Sequence, residues 1–111
     1  KDENFDILHL HSPLFPTLPL VFNAQATVPM VATYHTCTET TTYYRIMKKQ
    51  LQALINRISG NVAVSDVCAD DNKRFFNIDF DVIPNGVDTK WWKNSTNKIK
   101  EFDDGKINIL F

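Results

Sequence analysis

Four short apolar runs, each cut off by a polar residue or a proline and set apart from the next by a helix-length segment, constrain this chain more than any other feature. They are Phe5–Leu10, the run from Val28 to Thr36, Asn61–Ser65 and Phe80–Pro84. Strands alternating with helices of this length imply right-handed crossovers and a parallel sheet. The expected fold class is therefore α/β, a parallel sheet flanked by helices.

Between the runs, the sequence predicts three helices. Leu14–Ala26 is largely apolar, with Pro16 and Pro19 early enough for a first helical turn, and reads as a mostly buried helix with a wide packing face. In Thr42–Ser59, Tyr44, Met47, Leu51, Leu54, Ile55 and Ile58 recur at helical spacing opposite Arg45, Lys48, Lys49, Gln52 and Asn56. Hydroxyls at 38–42 suit its start and Gly60 its end. Ser65 or Asp66 is expected to cap a third helix running to about Asn77, with Asp66, Asp70 and Asp71 near its positive end. Pro84 halts the last strand, and Asn85-Gly86 is a pair that readily adopts positive φ.

A length of 111 residues allows one compact domain and is short for an α/β enzyme that binds two substrates. The absence of a starting Met and the strand-like close, Ile107–Phe111, suggest a piece of a longer protein. A net charge of −1 supplies no basic excess for a nucleic-acid backbone, so nucleic acid is not an expected partner. No apolar run is long enough to span a membrane. Cys37 and Cys68 show no CxxC spacing, which suits a reducing compartment and a cytoplasmic location. Asn94-Ser95-Thr96 matches a glycosylation acceptor pattern too short to carry weight.

In an open parallel sheet, ligands sit beyond the carboxyl ends of the strands. Here those ends offer His11-Ser12, His35-Thr36, Ser65-Asp66 and Asn85-Gly86, a mix of imidazole, hydroxyl, carboxylate and amide suited to the many short hydrogen bonds of a polyol or sugar. Caps and turns place Ser, Asp and Asn-Gly at the same positions for backbone reasons alone. His35 stands out because it ends an otherwise apolar strand, where a polar group is costly to bury. His9 falls inside a strand and reads as a packed or hydrogen-bonded core residue. His9, His11 and His35 lack an established ligand spacing, so no metal is expected. There is no Gly-rich phosphate loop and no nucleophile elbow.

Taken in order, His9-Leu-His11-Ser-Pro13, Val31-Ala-Thr-Tyr-His35-Thr36, Ala63-Val-Ser65-Asp66 and Val82-Ile-Pro-Asn85-Gly86-Val-Asp88 resemble the second half of the N-terminal Rossmann-like domain of retaining GT-B glycosyltransferases, the large family that includes glycogen and sucrose synthases. The nearest branch is that of the bacterial phosphatidylinositol mannosyltransferases, and the similarity runs from Phe5 to Asp88. It implies two lobes across a cleft, an acceptor held mainly by the N-terminal lobe, a nucleotide-sugar donor held mainly by the other, and hexose transfer with retained configuration. It implies no cofactor and no obligatory metal. The histidine matching His35 assists transfer as the catalytic residue. Substrate-binding roles are expected for His11, Ser12, Thr36, Ser65, Asp66, Asn85 and Gly86.

On this reading, residues 1–88 are part of an acceptor domain, 89–105 an interdomain connector and 106–111 the first strand of a second domain. The family's glycine-rich strand-loop and its C-terminal basic pair and glutamates lie outside the segment, which is expected to be inactive alone. Two rival readings are a non-catalytic flavodoxin-like small-molecule-binding module and a GT-B nucleotide-sugar epimerase. The acceptor is a lipid or a saccharide, and the basic helix face is either simply solvated or leans on anionic lipid, a peripheral contact with the cytoplasmic membrane consistent with lipid-linked acceptors. Trp91 and Trp92 pack the connector or grip a sugar ring.

Overall fold

A computed structural model describes residues 4–36 and 41–93 together with Phe102, Gly105 and Ile107. The expected second-domain strand, most of the connector, the Asn94 acceptor pattern, Cys37 and the hydroxyls at 38–40 lie outside the described residues. In chain order the elements are β1 (Leu8–His11), α1 (Leu18–Gln25), β2 (Met30–Tyr34), α2 (Thr41–Ile46), α3 (Lys48–Ile55), β3 (Gly60–Ala63), α4 (Asp66–Lys73), β4 (Asp81–Val82) and α5 (Thr89–Lys93). Among the described residues the strands form one sheet in the order β1-β2-β3-β4, every pair parallel, as the alternating pattern predicts.

Register decides which side chains meet. Leu8 pairs with Met30 and Leu10 with Ala32, while Tyr34 pairs with Ala63. Paired residues share a face, so these make one apolar surface. Crossovers that always step to the next strand in the same direction deliver their helices to one side. Leu51 and Ile55 of α3 and Cys68 and Ala69 of α4 accordingly join Leu10, Met30, Ala32, Tyr34 and Ala63 in a single core. On the other face stand His9 and His11, both exposed, beside Val31 and Thr33.

Several expectations are corrected. The first helix is shorter than Leu14–Ala26 and is not mostly buried: its one buried residue is Asn23, whereas Leu18, Val21 and Phe22 are 65%, 49% and 48% exposed. The inward stripe is Leu20, Asn23 and Ala26, spaced by three, which turns the remaining apolar residues outward. The long helix predicted over Thr42–Ser59 is kinked at Met47 (φ −92°, ψ 9°) into α2 and α3. Main-chain bonds from Met47 to Tyr43 (2.9 Å) and from Leu51 to Met47 (2.9 Å) run through the kink, so only the local angle changes.

Gly60 does not terminate that helix. The chain leaves α3 at Asn56 through tight bonds from Arg57 to Leu54 and from Ile58 to Ile55, and Gly60 is already the first residue of β3. The third helix stops at Lys73 rather than Asn77, and the last strand pairs only at Asp81 and Val82. Asn85 and Gly86 do not take positive φ. Among the described residues that conformation belongs to Ser12 (φ 52°) and Gly105 (φ 76°).

Candidate functional site

Parallel pairing carries the ends of β1 and β2 to the same rim. His11 pairs with Thr33, and His35 follows two residues on, so both imidazoles project from one face at adjacent strand ends. Their rings meet edge to edge, 5.1 Å apart between centroids and 21° from coplanar, with 2.8 Å between His11 Nδ1 and His35 Nε2. His9 lies 4.6 Å behind His11, ring to ring, and its Nε2 is 2.8 Å from the buried Thr33 Oγ1. His9 is thus hydrogen-bonded but is not a core residue. His35 is exposed, so the burial cost expected for a polar strand end is not incurred.

Ser12 turns the chain away from this rim. Its N–H still donates to Thr33 O (2.8 Å), which extends the ladder by one bond, and its carbonyl accepts from Phe15 N (3.1 Å). The left-handed φ at Ser12 then takes Pro13 and Leu14 into the core. A narrow crevice remains, bordered by Ser12, Phe15, Tyr34, His35, Thr36 and Tyr44. Its volume of about 20 Å³ is that of a single water, so the crevice itself does not admit a sugar ring.

The rim rests on a firm base. The single S–H of Cys68 is shared between Tyr34 O (3.3 Å from Sγ) and Thr36 O (3.6 Å), tying α4 to the end of β2. Tyr34 Oη donates to Asn61 Oδ1 (3.2 Å), joining β2 to β3. Burial, then the neighbouring Tyr44 and Cys68, push the Tyr34 phenol well above the usual tyrosine range. It stays protonated at neutral pH and donates to Asn61.

The other expected site residues are distributed unevenly. Thr36 is exposed beside His35. Ser65, half-buried, accepts from Cys68 N (3.2 Å) as the N-cap of α4, and Asp66 is exposed in the first turn of that helix. Asn85 and Gly86 follow β4, two strands from β2, in open surroundings. The structure brings His11, Ser12, His35 and Thr36 together, leaves Ser65 and Asp66 on the neighbouring strand end, and does not bring Asn85 and Gly86 to the imidazoles.

Asp88, at the end of the Ile-Pro-Asn-Gly-Val-Asp run, caps α5 by accepting from Lys90 N and Trp91 N (3.0 Å each). Sequence reasoning missed His9 and Thr33 as supports of the rim. The His-x-His spacing was their signal, since alternate residues share a face.

A hollow of about 420 Å³ bordered by Asn61, Asp79 and Asp81 lies at the amino ends of β3 and β4, away from the imidazoles. Among the described residues there is no group of three or more His, Cys, Asp or Glu able to hold a metal ion. No helix among them is long and apolar enough to cross a membrane.

The family model of Glycosyltransferase Family 4 matches residues 1–91. The phosphatidyl-myo-inositol mannosyltransferase of Propionibacterium freudenreichii is 36% identical over 84 residues, or 76% of this chain and 22% of the relative. The proteins of that name from Mycobacterium tuberculosis and Mycolicibacterium smegmatis are 36% and 35% identical over 85 residues, with 77% of this chain and 22% of each relative covered. The chain therefore spans 22% of the length of these curated relatives. The matched stretch includes the parallel sheet and the histidine rim, and this chain belongs to glycosyltransferase family 4.

Proposed function

We propose that this segment is the acceptor-side wall of a retaining glycosyltransferase that moves a hexose from a nucleotide-sugar to a lipid or saccharide acceptor. Mannose and a phosphatidylinositol lipid are the first pair to assay, because the relatives carry those names. One observation carries the reading: His35 stands exposed at the carboxyl end of β2, with its ring held from one side by His11. His35 hydrogen-bonds the transferring sugar, Ser12 and Thr36 flank it, and Ser65 and Asp66 line the next strand end. Asn85 and Gly86 serve where the chain enters the connector. A second lobe supplies most of the donor grip, so the segment alone is inactive, and no metal is required.

The protein works on the cytoplasmic side of a membrane. Exposed Arg45, Lys48 and Arg74 border a hollow of about 480 Å³ and meet anionic lipid there. The decisive assay follows transfer from a panel of nucleotide-hexoses by the full-length protein, with and without chelator. His35→Ala should lower turnover far more than donor affinity. Unchanged turnover removes His35 from the mechanism, and sugar interconversion without an acceptor would make the protein an epimerase.

A further inference from the structure

The imidazoles form a row on one sheet face, and the row has a direction. Thr33 Oγ1 holds His9 Nε2 at 2.8 Å, the His9 ring lies tilted by 32° against His11, and His11 Nδ1 meets His35 Nε2 at 2.8 Å. Thr33 is buried, whereas the three histidines are exposed, so the row is anchored at its inner end and reaches the rim at His35. A contact of this length between two ring nitrogens needs one to donate an N–H and the other to accept. It therefore commits His11 Nδ1 and His35 Nε2 to each other. The ring nitrogen of His35 left for a ligand is Nδ1, and its role is set by the bond: donor if His11 donates, acceptor if His35 does.

We propose that His11 is a positioning residue for His35. It holds the outer ring and its proton so that Nδ1 alone is presented to the sugar, while His9 and Thr33 hold His11 from behind. This rests on the assignment of His35 above and changes the part of His11, whose Nδ1 serves the neighbouring imidazole instead of the substrate.

The test uses full-length protein with ¹⁵N-labelled histidine. Wild type should show a through-hydrogen-bond coupling between His11 Nδ1 and His35 Nε2 that disappears in His11→Ala. In transfer assays His11→Ala should lower kcat by about tenfold to a hundredfold, by analogy with the loss of the partner that orients a metal-bound histidine, with donor and acceptor KM changed less than about threefold. His11→Asn, whose amide reaches the position of Nδ1, should recover most of the rate. His11→Phe keeps an aromatic ring at the position without the nitrogen and should be as slow as His11→Ala, which covers the case in which the alanine variant folds poorly.

Absence of the coupling in wild type overturns the proposal, as does a His11→Phe variant with full turnover. A loss expressed only in KM also overturns it, because His11 would then touch substrate directly. If His35→Ala kept full turnover while the coupling stood, the transfer role of His35 would fail and the ring contact would survive.

Discussion

Asn23 gives the sharpest test of the packing. It is 0% exposed on the inner face of α1, and neither Nδ2 nor Oδ1 has a hydrogen-bond partner among the described residues. Burying an amide without a partner costs about 1–3 kcal/mol in proteins. Asn23→Leu keeps the branch at Cγ, favours the helix, removes that cost and adds apolar surface to a core that already receives Leu20 and Ala26, while its larger side chain has to be fitted into a closed site. The protein should gain at most about 1–3 kcal/mol, reduced by the cost of fitting the larger side chain, and for a domain near this size each kcal/mol of net gain moves the melting midpoint up by roughly 4 °C or more.

Urea unfolding should show the same gain as a higher midpoint at unchanged slope. Asn72→Leu is the matched control of opposite sign. Asn72 is equally buried but donates to Cys68 O at 2.9 Å, so its loss should destabilise by about 1 kcal/mol. If Asn23→Leu lowered the midpoint, or both variants moved it the same way, the argument that partnering separates the two asparagines would be refuted.

Three further outcomes follow from single contacts. Ser12→Gly removes a side chain from a φ of 52° and should stabilise by roughly 0.5–1 kcal/mol, less than the full left-handed penalty of about 1–2 because glycine loosens the unfolded chain; a lower melting midpoint would show that the Ser12 side chain does more than tolerate the turn. Ser65→Ala should cost about 1 kcal/mol through loss of the α4 cap, and Ser65→Asp should restore it, both read by chemical unfolding. Tyr34 sets an alkaline limit: its phenol is raised in the folded state, so its contribution is complete below the ordinary value of about 10 and is lost as pH rises above it. Tyr34→Phe should flatten stability against pH in that range, and an unchanged alkaline slope would remove Tyr34 as the cause.

What the sequence made legible was whatever a two-residue or three-to-four-residue period records. The β1 and β2 positions, their parallel sense and the Ser65 cap are all visible as patterns, and so is the placement of His35 at a strand end. Boundaries were not, because they depend on tertiary bonds: the ladder bond from Ser59 N to Met30 O (2.8 Å) claims residues that look like the end of a helix. The α1 reading failed for a related reason. Its apolar content is real, but a single face meets the sheet, and that face happens to carry Asn23. Asn85-Gly86 illustrates propensity without obligation, since a pair that tolerates positive φ need not adopt it on an exposed stretch of chain.

The histidine contact was illegible for a deeper reason, since it depends on register across two strands. The pairing of His11 with Thr33 places His35 diagonally ahead on the same face; a slip of one residue would offer Tyr34 or Thr36 from the wrong alternation and send the buried Tyr34 outward. The bond from Ser12 N to Thr33 O secures that register at the last possible position, immediately before the left-handed turn takes the chain down into the core. Backbone strain at Ser12 and the ring contact at His11 are thus consequences of one arrangement. β1 must stay paired long enough to hold its histidine against His35 and then leave within a single residue, and a non-glycine residue at positive φ is how this chain does both.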